Sequence, residues 1–183
     1  TGKRATTSDY ASASYYYVNK SSLPKVYGGF NTSLSWKGFD LSAIFAYSIG
    51  GYIYNRDITM ILHNGSLEGR DWSTEILKRW TPENRYTDVP ALSTTSNNWN
   101  SASTRFLQNN SYMRLKNLTL SYDLPKQWIS KLALSSVQVF VQGDNLFTIH
   151  RNQGLDPEQG ITGITYYRYP AMRTISGGIN LSF

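Results

Sequence analysis

Apolar and polar residues alternate along five separate stretches of this chain. The last is the cleanest. From Arg173 onward one face carries Ile175, Gly177, Ile179, Leu181 and Phe183, and the other carries Thr174, Ser176, Gly178, Asn180 and Ser182. A period of two with one dry and one wet face predicts a β-strand. The first stretch places Val26, Gly28, Phe30, Leu34 and Trp36 on a dry face interrupted at Thr32, opposite Tyr27, Gly29, Asn31, Ser33 and Ser35. Lys37-Gly38 then predicts a two-residue hairpin turn. The second strand sets Phe39, Leu41, Ala43, Phe45, Tyr47 and Ile49 against Asp40, Ser42, Ile44, Ala46 and Ser48, until Gly50-Gly51 breaks the pattern. Trp36 and Phe39 flank the turn on one face, as a tight hairpin requires.

A third strand is expected from about Tyr112 to Leu124. Its lower half is regular, with Leu118, Leu120, Tyr122 and Leu124 opposing Asn117, Thr119, Ser121 and Asp123. Met113 and Leu115 have the opposite phase, which predicts a bulge near Lys116 or a strand end standing clear of lipid. Pro125 to Lys131 reads as a short connection. A fourth strand is carried by Val137, Val139 and Val141 against Gln138 and Gln142, with Phe140 as an exception on the wet face. A loop is expected from about Gly143 to Met172.

Residues 1–23 read as a polar loop, and residues 52–111 as a long insertion. Within the insertion, Asp71 to Trp80 has helical spacing, with Trp72, Ile76 and Trp80 on one face and Pro82 ending the helix. Ser93 to Ser103 is polar and turn-rich. Connections therefore alternate short, long, short, long. Strands of about ten residues cross a bilayer when tilted, and outer-membrane barrels pair short periplasmic turns with long outer loops. The expected fold is all-β: a transmembrane antiparallel β-barrel with a periplasmic C-terminus and long extracellular loops. Trp36, Phe39, Tyr122, Trp128 and Phe183 then fall at the periplasmic rim, and Tyr47, Tyr52, Tyr54 and Tyr169 at the outer rim, as aromatic girdles do.

Composition agrees with this. Only 16% of the 183 residues are charged, while 14% are aromatic, 14 of them Tyr. Mean hydropathy is −0.42. Barrel strands look like this because half of each faces polar company. No apolar run reaches the length of a membrane helix. The absence of Cys removes disulfides, thiolate catalysis and Cys-bound zinc. The net charge of +6 comes from scattered basic residues without a Lys/Arg block, which argues against nucleic acid as a partner. Bacterial single-chain barrels have even strand numbers, and open edges in lipid are costly. Five strands, with no signal peptide ahead of them, are thus expected to be the C-terminal part of a larger barrel, spanning residues 1–183.

Asn110 to Pro125, reading Asn-Ser-Tyr-Met-Arg-Leu-Lys-Asn-Leu-Thr-Leu-Ser-Tyr-Asp-Leu-Pro, resembles a signature of SusC/RagA-type TonB-dependent transporters. Further likenesses follow in order. Leu23 to Phe30 resembles the family's strand entry, and Trp36 to Leu41 its hairpin. Gly143 to Thr148 resembles its G-x-N-L-F-T stretch, Gly154 to Glu158 its D-P-E loop, and Pro170 to Phe183 its closing strand. Phe183, the final aromatic on the dry face, resembles the barrel-assembly signal of outer-membrane proteins. The resemblance covers most of residues 23–183. It implies a barrel of about 22 strands, of which these are the last five, in the outer membrane of a Gram-negative bacterium. It also implies a SusD-like lipoprotein lid, coupling to TonB through a plug domain, and import of large oligosaccharides or peptides.

Enzyme motifs are absent, as G-x-S-x-G, H-E-x-x-H and P-loop spacings do not occur. No cofactor is expected. His63 and His150 read as solvated loop histidines, without partners at metal-ligand spacing. Asp156 and Glu158 could hold a cation, but such a pair beside Pro157 more often shapes a turn. Trp72 and Trp80 read as packing residues. Trp99, Tyr112 and Arg114 are the substrate-binding candidates, because sugars offer C–H faces to aromatics and hydroxyls to polar groups. Two alternatives share the strand alternation: a passive porin or adhesin barrel, and a soluble carbohydrate-binding β-domain.

Overall fold

The computed structural model describes residues 6–183, apart from residues 66, 68, 96–97, 131–133, 155 and 159. The chain divides into two compact bodies. The larger is built on a five-stranded antiparallel sheet of β1 (Pro24–Trp36), β2 (Phe39–Gly50), β5 (Tyr112–Asp123), β6 (Ser136–His150) and β8 (Thr174–Ser182), adjacent in that order. All five expected strands are present. The smaller body carries a three-stranded sheet in the order β4 (Leu107–Asn109), β3 (Tyr52–Asn55), β7 (Ile164–Thr165), together with helix α1 (Arg56–Ile61).

Register explains the alternation. Trp36 faces Phe39, Phe39 faces Tyr122, Tyr122 faces Val139 and Val139 faces Ile179, so one row of apolar side chains crosses all five strands. The Phe39 and Tyr122 rings lie 4.4 Å apart, and Phe30 stacks on Phe45 at 4.7 Å. Such cross-strand pairs are what hold a sheet in register. The dry face is open: Leu34, Ile175 and Ile179 are each more than 60% exposed. A contiguous apolar face of this extent marks contact with a membrane or a partner. The wet face repeats Ser35, Asp40 and Ser121 in one row and Ser33, Ser42, Thr119, Gln142 and Ser176 in another.

The phase change in β5 is a bulge at Lys116. Asn117 faces Ile44 while Leu115 faces Phe45, so β5 holds one residue more than β2. A one-residue slip exchanges faces. Met113 and Leu115 thereby rejoin the dry face, against Tyr47 and Phe45, and Tyr112 and Arg114 turn to the wet one. β6 answers with an extra residue of its own, Asp144 facing Asn117 and Phe147 facing Leu115.

That second bulge corrects the expected loop at Gly143. Gly-Asp-Asn reads as a turn, yet β6 continues to His150. Asn145 adopts a left-handed φ of 52°, and the Leu146 side chain folds over Gly143, where a Cβ would come within 2.6 Å of it. The hairpin at Lys37-Gly38 is as expected, with φ of 48° and 85°, the two positive values of a type I′ turn. Phe140, the wet-face exception, lays its ring over Gly178.

The insertion departs further from expectation. Only one helical turn, Thr74–Lys78, forms where a helix from Asp71 to Trp80 was expected. Ser73 caps it, and the Trp80 N–H leaves the helix to pair with Val89 O at 2.8 Å. Tyr52 and Tyr54, expected at the rim of the main sheet, belong to β3, where Tyr54 meets Phe106 edge-on at 6.2 Å. Phe106 and Ile53 are each 1% exposed and form the centre of this body. Between β5 and β6 a short helix α2 (Lys126–Ile129) buries Ile129. Lys131, Ser96 and Asn97, which belong to the expected connection and polar stretch, lie outside the described residues, as do the first five residues of the expected N-terminal loop.

Deleting Lys116 should return Arg114 to the dry face and abolish folding of the full-length protein, read as loss of the protease-resistant form in detergent. Lys116→Ala keeps the residue count and should fold.

Candidate functional site

Arg114 is turned to the wet face by the bulge and is 3% exposed. A buried guanidinium needs counter-charges and hydrogen bonds on every donor. It finds them in three places. Its Nε donates to Thr148 Oγ1 of β6 at 2.9 Å, its Nη1 to Glu158 Oε2 at 2.8 Å, and its Nη2 to Asp156 Oδ1. Lys116 Nζ closes the group, donating to both Glu158 carboxylate oxygens at 2.6 and 2.5 Å.

The acidic pair sits on the loop between β6 and β8. Asp156 Oδ1 also accepts the Glu158 N–H at 2.9 Å, which bends the chain around the buried Pro157. Its Oδ2 accepts the Ala171 N–H at 2.6 Å, just before β8. Burial alone would raise the Asp156 carboxyl. The Ala171 and Glu158 N–H groups and Arg114 outweigh it and hold the carboxyl below its ordinary range. The turn reading of Asp156 and Glu158 therefore describes half of their role; the other half is to neutralise Arg114. Among the described residues no cluster of three His, Asp or Glu side chains is placed to hold a metal ion.

This loop roofs a cavity of about 290 Å³ on the larger body. Its floor is a row across the sheet, in which Tyr27 faces Ser48 and Ser48 faces Tyr112. Pro157, Gly160 and Ile161 cover it. Two hydrogen bonds fasten the roof: Asn110 Nδ2 donates to Pro157 O at 2.9 Å, and Ser22 Oγ donates to Ile161 O at 2.8 Å. Gly50 closes one side with a φ of 84°, and the next residue, Gly51, has a φ of 75° and would bring a Cβ within 2.9 Å of Ser22 O.

Below the cavity the wet face carries a ladder of amides and acids. Asn117 Nδ2 donates to Asp144 Oδ1 at 2.8 Å, Gln138 Nε2 to Asp123 Oδ1 at 2.9 Å, and Asn180 Nδ2 to Gln138 Oε1 at 3.2 Å.

The three substrate candidates have different surroundings. Tyr112 lines the cavity, whereas Arg114 is committed to its carboxylates and fastens the roof. Trp99 lies in the smaller body. Its indole N–H donates to Leu62 O, and the Arg105 guanidinium covers its ring at 3.4 Å. Phe183 is 91% exposed beyond β8. His63 corrects its expectation of a solvated loop: it is 1% exposed, and its Nδ1 accepts N–H groups from Trp72 at 3.0 Å, Gly65 at 3.3 Å and Leu67 at 3.4 Å. His150 ends β6 rather than lying in a loop. Sequence reasoning missed Tyr27 and Ser48. Their signal was in the alternation, since both fall on the wet face of an expected strand.

No family model matches the chain. Individual proteins do. TonB-dependent receptor P3 of Formosa agariphila is 33% identical over 166 residues, covering 85% of this chain and 16% of the receptor. TonB-dependent receptor P26 of the same organism is 30% identical, covering 89% and 17%. TonB-dependent receptor SusC of Bacteroides thetaiotaomicron is 27% identical, covering 91% and 16%. Among solved structures, the RagAB peptide importer in its closed-closed state is 34% identical with a TM-score of 0.82, covering 98% of this chain and 19% of its counterpart. The open-open state gives a TM-score of 0.83 at the same coverage. The chain thus spans about a sixth to a fifth of the length of these proteins.

Arg114→Ala leaves Asp156 without its cation, while Glu158 keeps Lys116; stripping one partner from a buried pair typically costs about 3–5 kcal/mol. The expected result is a loop between residues 151 and 173 that proteases cut in the otherwise folded protein. Asp156, held below its ordinary range, contributes stability that is complete above the unfolded carboxyl pKa of about 4 and lost as pH falls through the folded value. The loop should therefore stay protected from pH 7 to 5 and open to pepsin only in stronger acid.

Proposed function

We propose, because the chain is a segment of a SusC/RagA-type TonB-dependent transporter, that the protein containing it imports large nutrients across the outer membrane of a Gram-negative bacterium. The family likeness extends over nearly the whole chain, and this is the observation that carries the reading. The faces of the sheet agree with it. The apolar row from Trp36 to Ile179 meets lipid, and the amide and acid ladder lines the lumen. In this reading residues 1–183 are the C-terminal part of the barrel domain, with the C-terminus in the periplasm and Phe183 as the residue that the assembly machinery reads.

Transport is the task rather than transformation. The cargo class is oligosaccharide or peptide; RagAB is by its name a peptide importer. A SusD-like lipoprotein serves as the lid. TonB supplies the work through a plug domain, and the rest of the barrel supplies the other wall. Short turns at one end of the sheet and long connections at the other give the polarity, with the roofed cavity on the outer side. Tyr112 contacts cargo, Trp99 offers an edge or its uncovered face, and Arg114 acts by holding the loop.

Uptake by cells carrying the full-length protein should cease when the proton gradient is dissipated, and the protein should be isolated with a surface lipoprotein. Uptake that survives dissipation would identify a passive pore. Trp99→Ala should weaken cargo binding by about three- to tenfold if the ring is a contact, since one aromatic contact contributes about 0.5–1.5 kcal/mol.

A further inference from the structure

The roofed cavity has a composition of its own. Each of its described lining residues is uncharged, although Arg114, Lys116, Asp156 and Glu158 lie on the adjoining positions of β5 and the loop. These four are occupied with one another. The floor presents Tyr27, Ser48 and Tyr112 in one row, and none of the three hydroxyls bonds to another described residue. Strands two apart are separated by roughly 10 Å, so the two tyrosines stand on either side of a slot floored by the small Ser48. Tyr27 lines the cavity from β1, the edge strand of this sheet. The roof is fixed in advance by the Asn110 and Ser22 hydrogen bonds and by the Arg114 ion cluster, so a ligand would not have to order it.

We propose that this slot is a subsite for one neutral sugar ring, with Tyr27 and Tyr112 against its C–H faces and Ser48 and the tyrosine hydroxyls taking its hydroxyl groups. Aromatic walls with free hydroxyls match a pyranose, whose faces are apolar and whose edge is polar. The same walls disfavour a carboxylate or sulfate. An anion there would be desolvated, with no cation among the described lining residues. Arg114 and Asn110 are positioning residues in this arrangement. The subsite rests on the import reading for its physiological use, but it is defined by binding alone.

The test is calorimetric titration of the full-length transporter in detergent with malto-, cello-, xylo-, manno- and galacto-oligosaccharides, oligogalacturonate and a tripeptide mixture. At least one neutral series should bind and oligogalacturonate should not. Tyr27→Ala, in protein that keeps its protease-resistant form, should weaken that binding about three- to tenfold. Tyr112→Phe, which keeps the ring, should weaken it less than Tyr112→Leu. Binding of the acidic oligomer in preference to all neutral ones would overturn the proposal. So would neutral binding that both tyrosine variants leave unchanged, or failure of every neutral series to bind. Sugar binding without gradient-dependent uptake would overturn the import reading and leave the subsite standing.

Discussion

A guanidinium placed beneath a loop must be neutralised, and this requirement organises one end of the larger body. Arg114 reaches the polar face only because Lys116 adds a residue to β5. Once there it draws in Asp156 and Glu158, more than forty residues along the chain, and Thr148 from the neighbouring strand. Asp156 in turn holds Ala171 at the entrance to β8. Four short motifs that look independent in sequence are therefore parts of one contact. The R-L-K-N stretch supplies the cation and the bulge, and N-L-F-T supplies the hydroxyl and the answering bulge. D-P-E supplies the anions, and the segment before the last strand supplies the N–H group.

The two faces of the sheet divide the remaining work. Apolar rows on one side hold register and present a surface suited to lipid. On the other side, hydrogen bonds among Asn117, Asp144, Gln138, Asp123 and Asn180 satisfy polar groups across strands. A polar wall of this type is firm without being greasy. The cavity between Tyr27 and Tyr112 lies where this wall meets the ion-fastened loop, so rigid sheet and rigid roof together give it a set shape.

Much of this was legible in the sequence because a period of two survives wherever one face is dry. All five strands follow from that period, Gly38 marks the turn, and the phase change near Lys116 left a bulge or a strand end clear of lipid, of which the register shows the bulge. The extent of β6 did not, because Gly143-Asp144-Asn145 has the composition of a turn; only pairing with Tyr112 to Leu115 carries the strand on to His150. The helix expected from Asp71 to Trp80 failed because tertiary hydrogen bonding at Trp80 outweighs local spacing. Arg114 was visible as a polar residue in a distinctive motif, but its partners are distant in sequence, so its role as an anchor needed the fold. His63 was misjudged for the same reason, its three donors being set by the folded loop.

The central claim is that this chain is part of the wall of a larger membrane importer. It is tested most directly by extracting the native protein in mild detergent and measuring the intact masses of everything that remains associated. The account predicts a polypeptide several times longer than this chain, soluble only with detergent and accompanied by a lipoprotein. A lone species of this chain's length, monomeric and soluble without detergent, would contradict it and assign the alternation to a soluble sheet.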